Sequence, residues 1–342
     1  MTLTMYNYLT NALKGTAAET TIRKRVAFLN LLSDRVDGAE DMSFLNSTGI
    51  VMKRINDTDN VETRWNRIMN VFKAIEATPH LINSKAKSVY DKEIEKLKQA
   101  RIDIRNKNAK TPKQVIRLDI GLTDRQQELN DILDDFFKDY DLPLANVKAN
   151  QIERLRRDDM LVPFVKQFQD LIIMACYIFQ PALRNDWGAM KIITKIRGIA
   201  KDENYLYISS GKMELVLQVY KNVKSLGKMR IAVRPKLRQL LKIWIDLLNK
   251  TTDNPTHLLY YAIDKNGIRH IENDEAIRRQ ISRISEKTFG LPLSINDFRA
   301  LWEEHIQRDP NYMRMSPEQQ EKLHNELLHG KVIAATYNRV DA

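Results

Sequence analysis

The chain has 342 residues, with 55 Lys+Arg against 44 Asp+Glu and a formal net charge of +11. At roughly 100–200 residues per domain that length fits about two domains, and a content of 43% hydrophobic and 29% charged residues excludes general disorder. A single cysteine, Cys176, excludes an internal disulfide and any Cys-based zinc cluster. The longest uncharged apolar run, 171–179, falls well short of the ~20 residues of a membrane span, and the opening MTLTMYNYLT lacks a signal-peptide pattern. The expectation is an intracellular, basic protein with no membrane partner and nucleic acid as the first partner to test.

The first third of the chain has helical periodicity. Thr20 reads as an N-cap, followed by Ile22, Val26, Leu29 and Leu32 on one stripe. A second helix is predicted over 62–76, with Trp65, Ile68, Met69, Phe72 and Ile75 on one side. Residues 83–110 are charged and helix-compatible until Thr111-Pro112 breaks them. Another amphipathic helix is predicted over 123–140 and is ended by Leu142-Pro143-Leu144. These patterns give a helical domain over 1–140, a linker within about 111–150, and a second domain over 151–342.

The second domain opens with an apolar helix, 162–179, closed by Gln180-Pro181. Strand-like runs follow at 205–209, 213–219 and 229–233, predicting a three-stranded antiparallel sheet. Residues 236–249 form a helix with Leu237, Leu240, Leu241, Trp244, Leu247 and Leu248 on one face, and Trp244 and Trp302 read as core. From there the pattern is helix on helix, with capping boxes at Ser294/Asp297 and Ser316/Gln319. The fold class is therefore mainly α with a small antiparallel β-sheet (α+β).

The charge is concentrated in blocks. Residues 81–117 hold eleven Lys/Arg and four acids, and residues 191–242 hold thirteen and three, whereas 118–142 holds two against eight. A duplex clamped by two domains needs cationic surface on both. Gly-rich phosphate loops, GxSxG and HExxH are all missing, and the six histidines show no clear metal-ligand spacing. No cofactor or metal is expected, so cleavage of nucleic acid would use the protein's own groups. A tyrosine hydroxyl can attack a phosphodiester when fixed cations cradle the transition state and a donor protonates the leaving oxygen. Arginine suits the cradle because its planar fork stays charged and grips two oxygens. Such parts occur in order: Arg184 in QPALRNDW, Lys224 in VKSLGKMRIAV, Asn296 and Arg299 in SINDFRALW, then His329 and Tyr337 in LLHGKVIAATYNRV.

That order resembles the tyrosine recombinase/integrase family, closer to its forms from DNA viruses and eukaryotic mobile elements. The similarity covers about 180–342 as the catalytic domain and 1–140 more loosely as the helical core-binding domain, where TAAETTIRKRVAFLNLL is similar to the usual first helix. The resemblance implies Tyr337 as nucleophile forming a 3′-phosphotyrosyl link. It implies Arg184 and Arg299 on the non-bridging oxygens and His329 as a phosphate donor or positioning group. Lys224 is implied as general acid, with Lys221 and Lys228 competing in the same turn. It also implies double-stranded DNA as partner, self-assembly into a dimer or tetramer on it, and no need for ATP or metal. Departures stand beside these matches. Asn296 occupies the usual histidine position and cannot exchange a proton near neutral pH. Trp187 stands where an acid often follows the first arginine. Residues 309–320 look like an insertion, His329 and Tyr337 are eight apart, and five residues follow Tyr337, a short tail for docking on a neighbouring subunit. The expected function is site-specific recombination or integration. The alternatives are a type IB topoisomerase-like nicking-closing enzyme, or a catalytically decayed DNA-binding structural or regulatory protein.

Overall fold

In the computed structural model, residues 3–17, 19–36, 39–107, 115, 118–144, 147–252, 255–264, 267–270, 275–330 and 334 are described. The chain divides into two compact units, Met1–Ala109 and Lys110–Ala342. Each has its own apolar core, one formed by residues from Leu9 to Leu97, the other by residues from Leu118 to Leu328. The helix that the sequence places before the 140 boundary, Leu122–Asp139, contributes its Leu129, Leu133, Phe136 and Phe137 to the second core.

The first unit is helical: α1 (Leu3–Leu13), α2 (Glu19–Ser33), α3 (Thr48–Ile55), α4 (Val61–Ala77) and α5 (Ser84–Lys107). Helix α2 begins one residue before the expected cap, so Thr20 lies inside its first turn. Helix α4 is capped by Asn60, whose side chain accepts from the Thr63 N–H at 2.9 Å. On α5 the basic Lys85, Lys87, Lys92, Lys96 and Lys98 are exposed, while Tyr90 and Leu97 are buried. The buried Glu93 pairs with Arg64 at 2.7 Å.

The second unit is built on α8 (Leu161–Ile178), which follows α6 (Leu122–Asp139) and α7 (Ala149–Arg157). Helix α8 is apolar on every side and buried from Phe164 to Ile178 apart from Lys166, Gln167 and Asp170, as the central helix of a core must be. By length and composition it could cross a membrane, but 67% of it is buried inside this unit. Phe164 and Phe168 stack on Phe136 of α6, and Phe168 meets Trp244 edge-on at 5.8 Å. Pro181 prevents continuation of α8. Gln180 then bridges outward: its Oε1 accepts from the Arg234 N–H at 2.9 Å and its Nε2 donates to the Ala232 carbonyl at 3.3 Å.

The sheet differs from the expected three antiparallel strands. Strands β2 (Tyr205–Ile208), β3 (Met213–Leu217) and β4 (Met229–Ala232) form that antiparallel set, but β1 (Lys191–Ile193) adds a fourth strand parallel to β2. Three residues are too few to show strand alternation, and their pairing across the following loop is set by tertiary contact. Between β3 and β4 the chain makes a single helical turn, α9 (Val223–Leu226), closed by Gly227 at φ 74°. Helix α10 (Pro235–Thr251) follows. The helix-on-helix expectation after it is corrected by a hairpin, β5 (Tyr260–Asp264) with β6 (Gly267–His270). Helices α11 (Glu275–Phe289), α12 (Ile295–Arg308) and α13 (Pro317–Asn325) complete the unit, the last two opening on the expected capping boxes. The fold is mainly α with one small mixed sheet and a separate hairpin.

Candidate active site

A polar cavity of about 740 Å³ lies where four segments of the second unit converge. The segment after α8 supplies Arg184 and Asp186. The chain after β3 supplies Tyr220 and Lys221, α11 supplies Arg278 and Ser282, and the start of α12 supplies Ser294 and Asn296. Residues more than a hundred positions apart thus share one opening.

The wall carrying Arg184 is fixed from behind. The Tyr177 hydroxyl donates to the Arg184 carbonyl at 2.7 Å, the Arg184 N–H donates to Asp186 Oδ2 at 3.1 Å, and Trp302 Nε1 donates to the Tyr177 carbonyl at 2.9 Å. The Arg184 Nε is buried and has no hydrogen-bond partner among the described residues. A buried orphan donor costs about 1–3 kcal/mol unless something accepts from it. On the wall of a cavity holding other cationic groups, the fitting acceptor is an anion oxygen. The start of α12 also lines the cavity, through Ser294, Ile295 and Asn296. Its capping box is complete: the Ser294 N–H donates to Asp297 Oδ2 at 2.8 Å and the Asp297 N–H donates to Ser294 Oγ at 3.3 Å.

The three hairpin lysines separate. Lys221 lines the cavity and has no carboxylate partner among the described residues. Lys224 is exposed on α9, outside the lining, and Lys228 donates to Gln218 Oε1 at 2.9 Å. Asp186 provides an acid two residues after Arg184, next to the buried Trp187. Burial raises the Tyr220 phenol above its ordinary value, and the nearby Asp186 carboxylate adds to that.

Arg299 does not line the cavity. It is fully buried one turn further along α12 from Asn296. Its Nη1 donates to the Ala182 carbonyl at 2.7 Å, which ties α12 to the segment bearing Arg184, and its Nη2 meets His329 Nδ1. The other ring nitrogen of His329, Nε2, meets Glu303 Oε1. His324 Nδ1 lies 2.9 Å from Glu303 Oε2, and the Tyr312 hydroxyl lies 2.7 Å from His324 Nε2. A continuous buried chain therefore runs Arg299–His329–Glu303–His324–Tyr312. Burial works to raise the Glu303 carboxyl, but hydrogen bonds from His324 and His329 outweigh it and hold it down at about 2. Burial lowers the His329 imidazole, and Arg299 pushes the same way.

Glu303, His324 and His329 bring ligand-type atoms within 4.8 Å of one another, a grouping the histidine spacing in the sequence did not disclose. Arginine can only donate, so it occupies the His329 Nδ1 lone pair and leaves the proton on Nε2. A metal on Nε2 would need that proton gone too, beside a buried guanidinium, so the donor set does not fit a divalent ion. His329 is preceded by Leu328 at φ 57°, a left-handed conformation that is costly for leucine. The Leu328 carbonyl accepts from Asn222 Nδ2 at 2.8 Å, which holds it to the hairpin connection. Tyr337 lies outside the described residues.

Asp186, Arg278, Glu303, His324 and Tyr312 were not anticipated. Only Glu303 carried a local signal, being four residues from Arg299 on one helix face. No family model and no curated protein matches the chain. Among solved structures, a chain described as XerA recombinase aligns over 98% of this chain and 94% of its own length, with a TM-score of 0.31 and 8% identity. A likeness at that level assigns neither fold nor activity.

Proposed function

We propose that the protein breaks and rejoins DNA strands as a tyrosine recombinase or integrase does. The observation that carries this reading is the convergence of Arg184, Lys221 and Asn296 on one polar cavity, with a buried Arg184 nitrogen that has no partner among the described residues. That is a site prepared for a phosphodiester, and the ordered Arg, Lys, Asn-x-x-Arg, His and Tyr of the sequence supply a reaction for it. The Tyr337 phenol gives up its proton to solvent as its oxygen attacks phosphorus, the bond from phosphorus to the 5′ oxygen breaks, and the leaving oxygen takes a proton from a lysine. Attack by a 5′-hydroxyl on the phosphotyrosine reverses the exchange, so the bond energy is kept and no nucleotide is consumed. Arg184 grips the non-bridging oxygens. Lys221 is the general acid in place of Lys224, because it lines the cavity and Lys224 does not. Arg299 and His329 act from behind the cavity wall. Exposed lysines on α5 and the basic 191–242 block bind DNA backbone without regard to sequence. Self-assembly on the duplex would pair cleavage events for recombination.

A second reading, a DNA-binding protein that keeps the fold without cleaving, is favoured by Asn296, which cannot move protons where the family places histidine. Incubating the protein with a pool of nicked suicide duplexes and running a denaturing gel separates the two. A covalent adduct lost in Tyr337→Phe supports cleavage. DNA retention without any adduct supports the binding protein and overturns the proposal. Relaxation of supercoiled plasmid with no exchanged product assigns the chemistry to a topoisomerase of type IB.

A further inference from the structure

The cleavage reading gives Arg299 a task but does not explain why a buried carboxylate, two histidines and a tyrosine line up behind it. We infer that Glu303, backed by His324 and Tyr312, is a positioning residue: it holds His329 in the one tautomer that can accept from Arg299, and so fixes the guanidinium. The catalytic consequence rests on the strand-cleavage reading; the geometry does not.

Every member of the chain is constrained by what it can donate. A guanidinium offers N–H groups only, so His329 Nδ1 must present a bare lone pair to it. A neutral ring with bare Nδ1 carries its proton on Nε2, and Nε2 faces Glu303. Without the carboxylate the ring could take the other tautomer, bringing an N–H of His329 against an N–H of Arg299. Glu303 is kept ionised and turned toward both imidazoles, since His324 Nδ1 occupies its Oε2 side. The Tyr312 hydroxyl holds His324 from the far edge, and Gln320 Nε2 donates to the Tyr312 carbonyl at 2.8 Å. The segment 312–324, which overlaps the insertion noted in the sequence, thus carries the outer half of the device. Arg299 transmits the result, because its Nη1 anchors the Ala182 carbonyl two residues before Arg184.

The test is imidazole nitrogen NMR on His329, assigned through His329→Gln, together with single-turnover cleavage of the nicked duplex pool and DNA affinity. In the wild type His329 should show Nε2–H and a bare Nδ1 at about pH 7 to 8, above the ordinary imidazole value of about 6.5. Glu303→Gln should give mixed tautomers and cleave about 10- to 100-fold more slowly, the range seen when an orienting partner is removed, with DNA affinity unchanged. Tyr312→Phe, the gentler variant should Glu303→Gln fail to fold, should move both readouts the same way by less. A wild-type His329 protonated on Nδ1, or a folded Glu303→Gln with wild-type tautomer or wild-type cleavage rate, overturns the proposal. If the wild type cleaves no duplex, the strand-cleavage reading falls and the catalytic role falls with it, while the tautomer result still decides the geometry.

Discussion

Replacing Glu303 by Gln removes a buried charge while keeping the shape, and its cost should depend on pH in a defined way. The folded carboxyl is held at about 2 against an ordinary 4.5. A fall of that size corresponds to about 3 kcal/mol of folding stability in linkage arithmetic. The sign follows from the depression: the contribution is fully present above 4.5 and is lost as pH falls toward 2. At about pH 3 only about 1 kcal/mol should remain. The lowered His329 acts in the same direction, since its unfolded ring takes a proton below its ordinary 6.5 while the folded ring resists. That loss should persist in the variant, because Glu303 raises His329 rather than lowering it. Urea denaturation of both proteins, followed by tryptophan fluorescence, measures the difference. Trp187, Trp244 and Trp302 all report on the second unit. A wild-type advantage that is equal at about pH 7 and about pH 3 would refute the charge-based account.

Arg184→Lys should lower cleavage by about 10²- to 10³-fold, as expected when a transition-state donor is lost, with DNA affinity within a few-fold in a gel-shift titration. Lys221→Ala should be rescued on a duplex whose 5′-bridging oxygen is sulfur, because a thiolate leaves without a proton; rescue of Lys224→Ala instead would move the general acid there. DNA affinity should drop about 10³-fold or more between roughly 50 and 200 mM salt for unrelated duplexes, read by fluorescence anisotropy, if six or more phosphates are contacted. Phe168→Ala should cost about 3–5 kcal/mol in the second unit, since its ring packs against Phe136, Phe137, Phe164 and Trp244.

Much of the local structure was legible because it is dictated locally. The apolar stripe of 236–249, the Ser294/Asp297 and Ser316/Gln319 boxes and the Pro181 stop each state their structure within a few residues. What escaped depends on distance. Strand β1 is three residues long and owes its place to Tyr205–Tyr207 and to the backbone bond from the Ile192 N–H to the Thr256 carbonyl. The β5–β6 hairpin follows a helix-rich stretch, and its alternation is too short to stand out. At the site, sequence order named Arg184, Asn296 and, of three lysines within eight residues, Lys224, whereas Lys221 is the one that lines the cavity, a placement that depends on how α9 turns. Arg299 stood out as a charged residue three after Asn296, yet its burial follows from Ala182 and His329, 117 and 30 residues away. Glu303 and His324 have no meaning until α12 and α13 are packed together.

The bond from Asn222 to the Leu328 carbonyl joins two places of different character. One residue to one side of it is Lys221, at the cavity; one residue to the other side is His329, in the buried chain. A displacement of the hairpin by an incoming duplex would therefore pull directly on the backbone at a leucine already held in an unfavourable left-handed state. If the protein cuts DNA as proposed, this bond would couple seating of the hairpin on a duplex to the backbone beside His329, and Asn222→Ala should loosen that coupling.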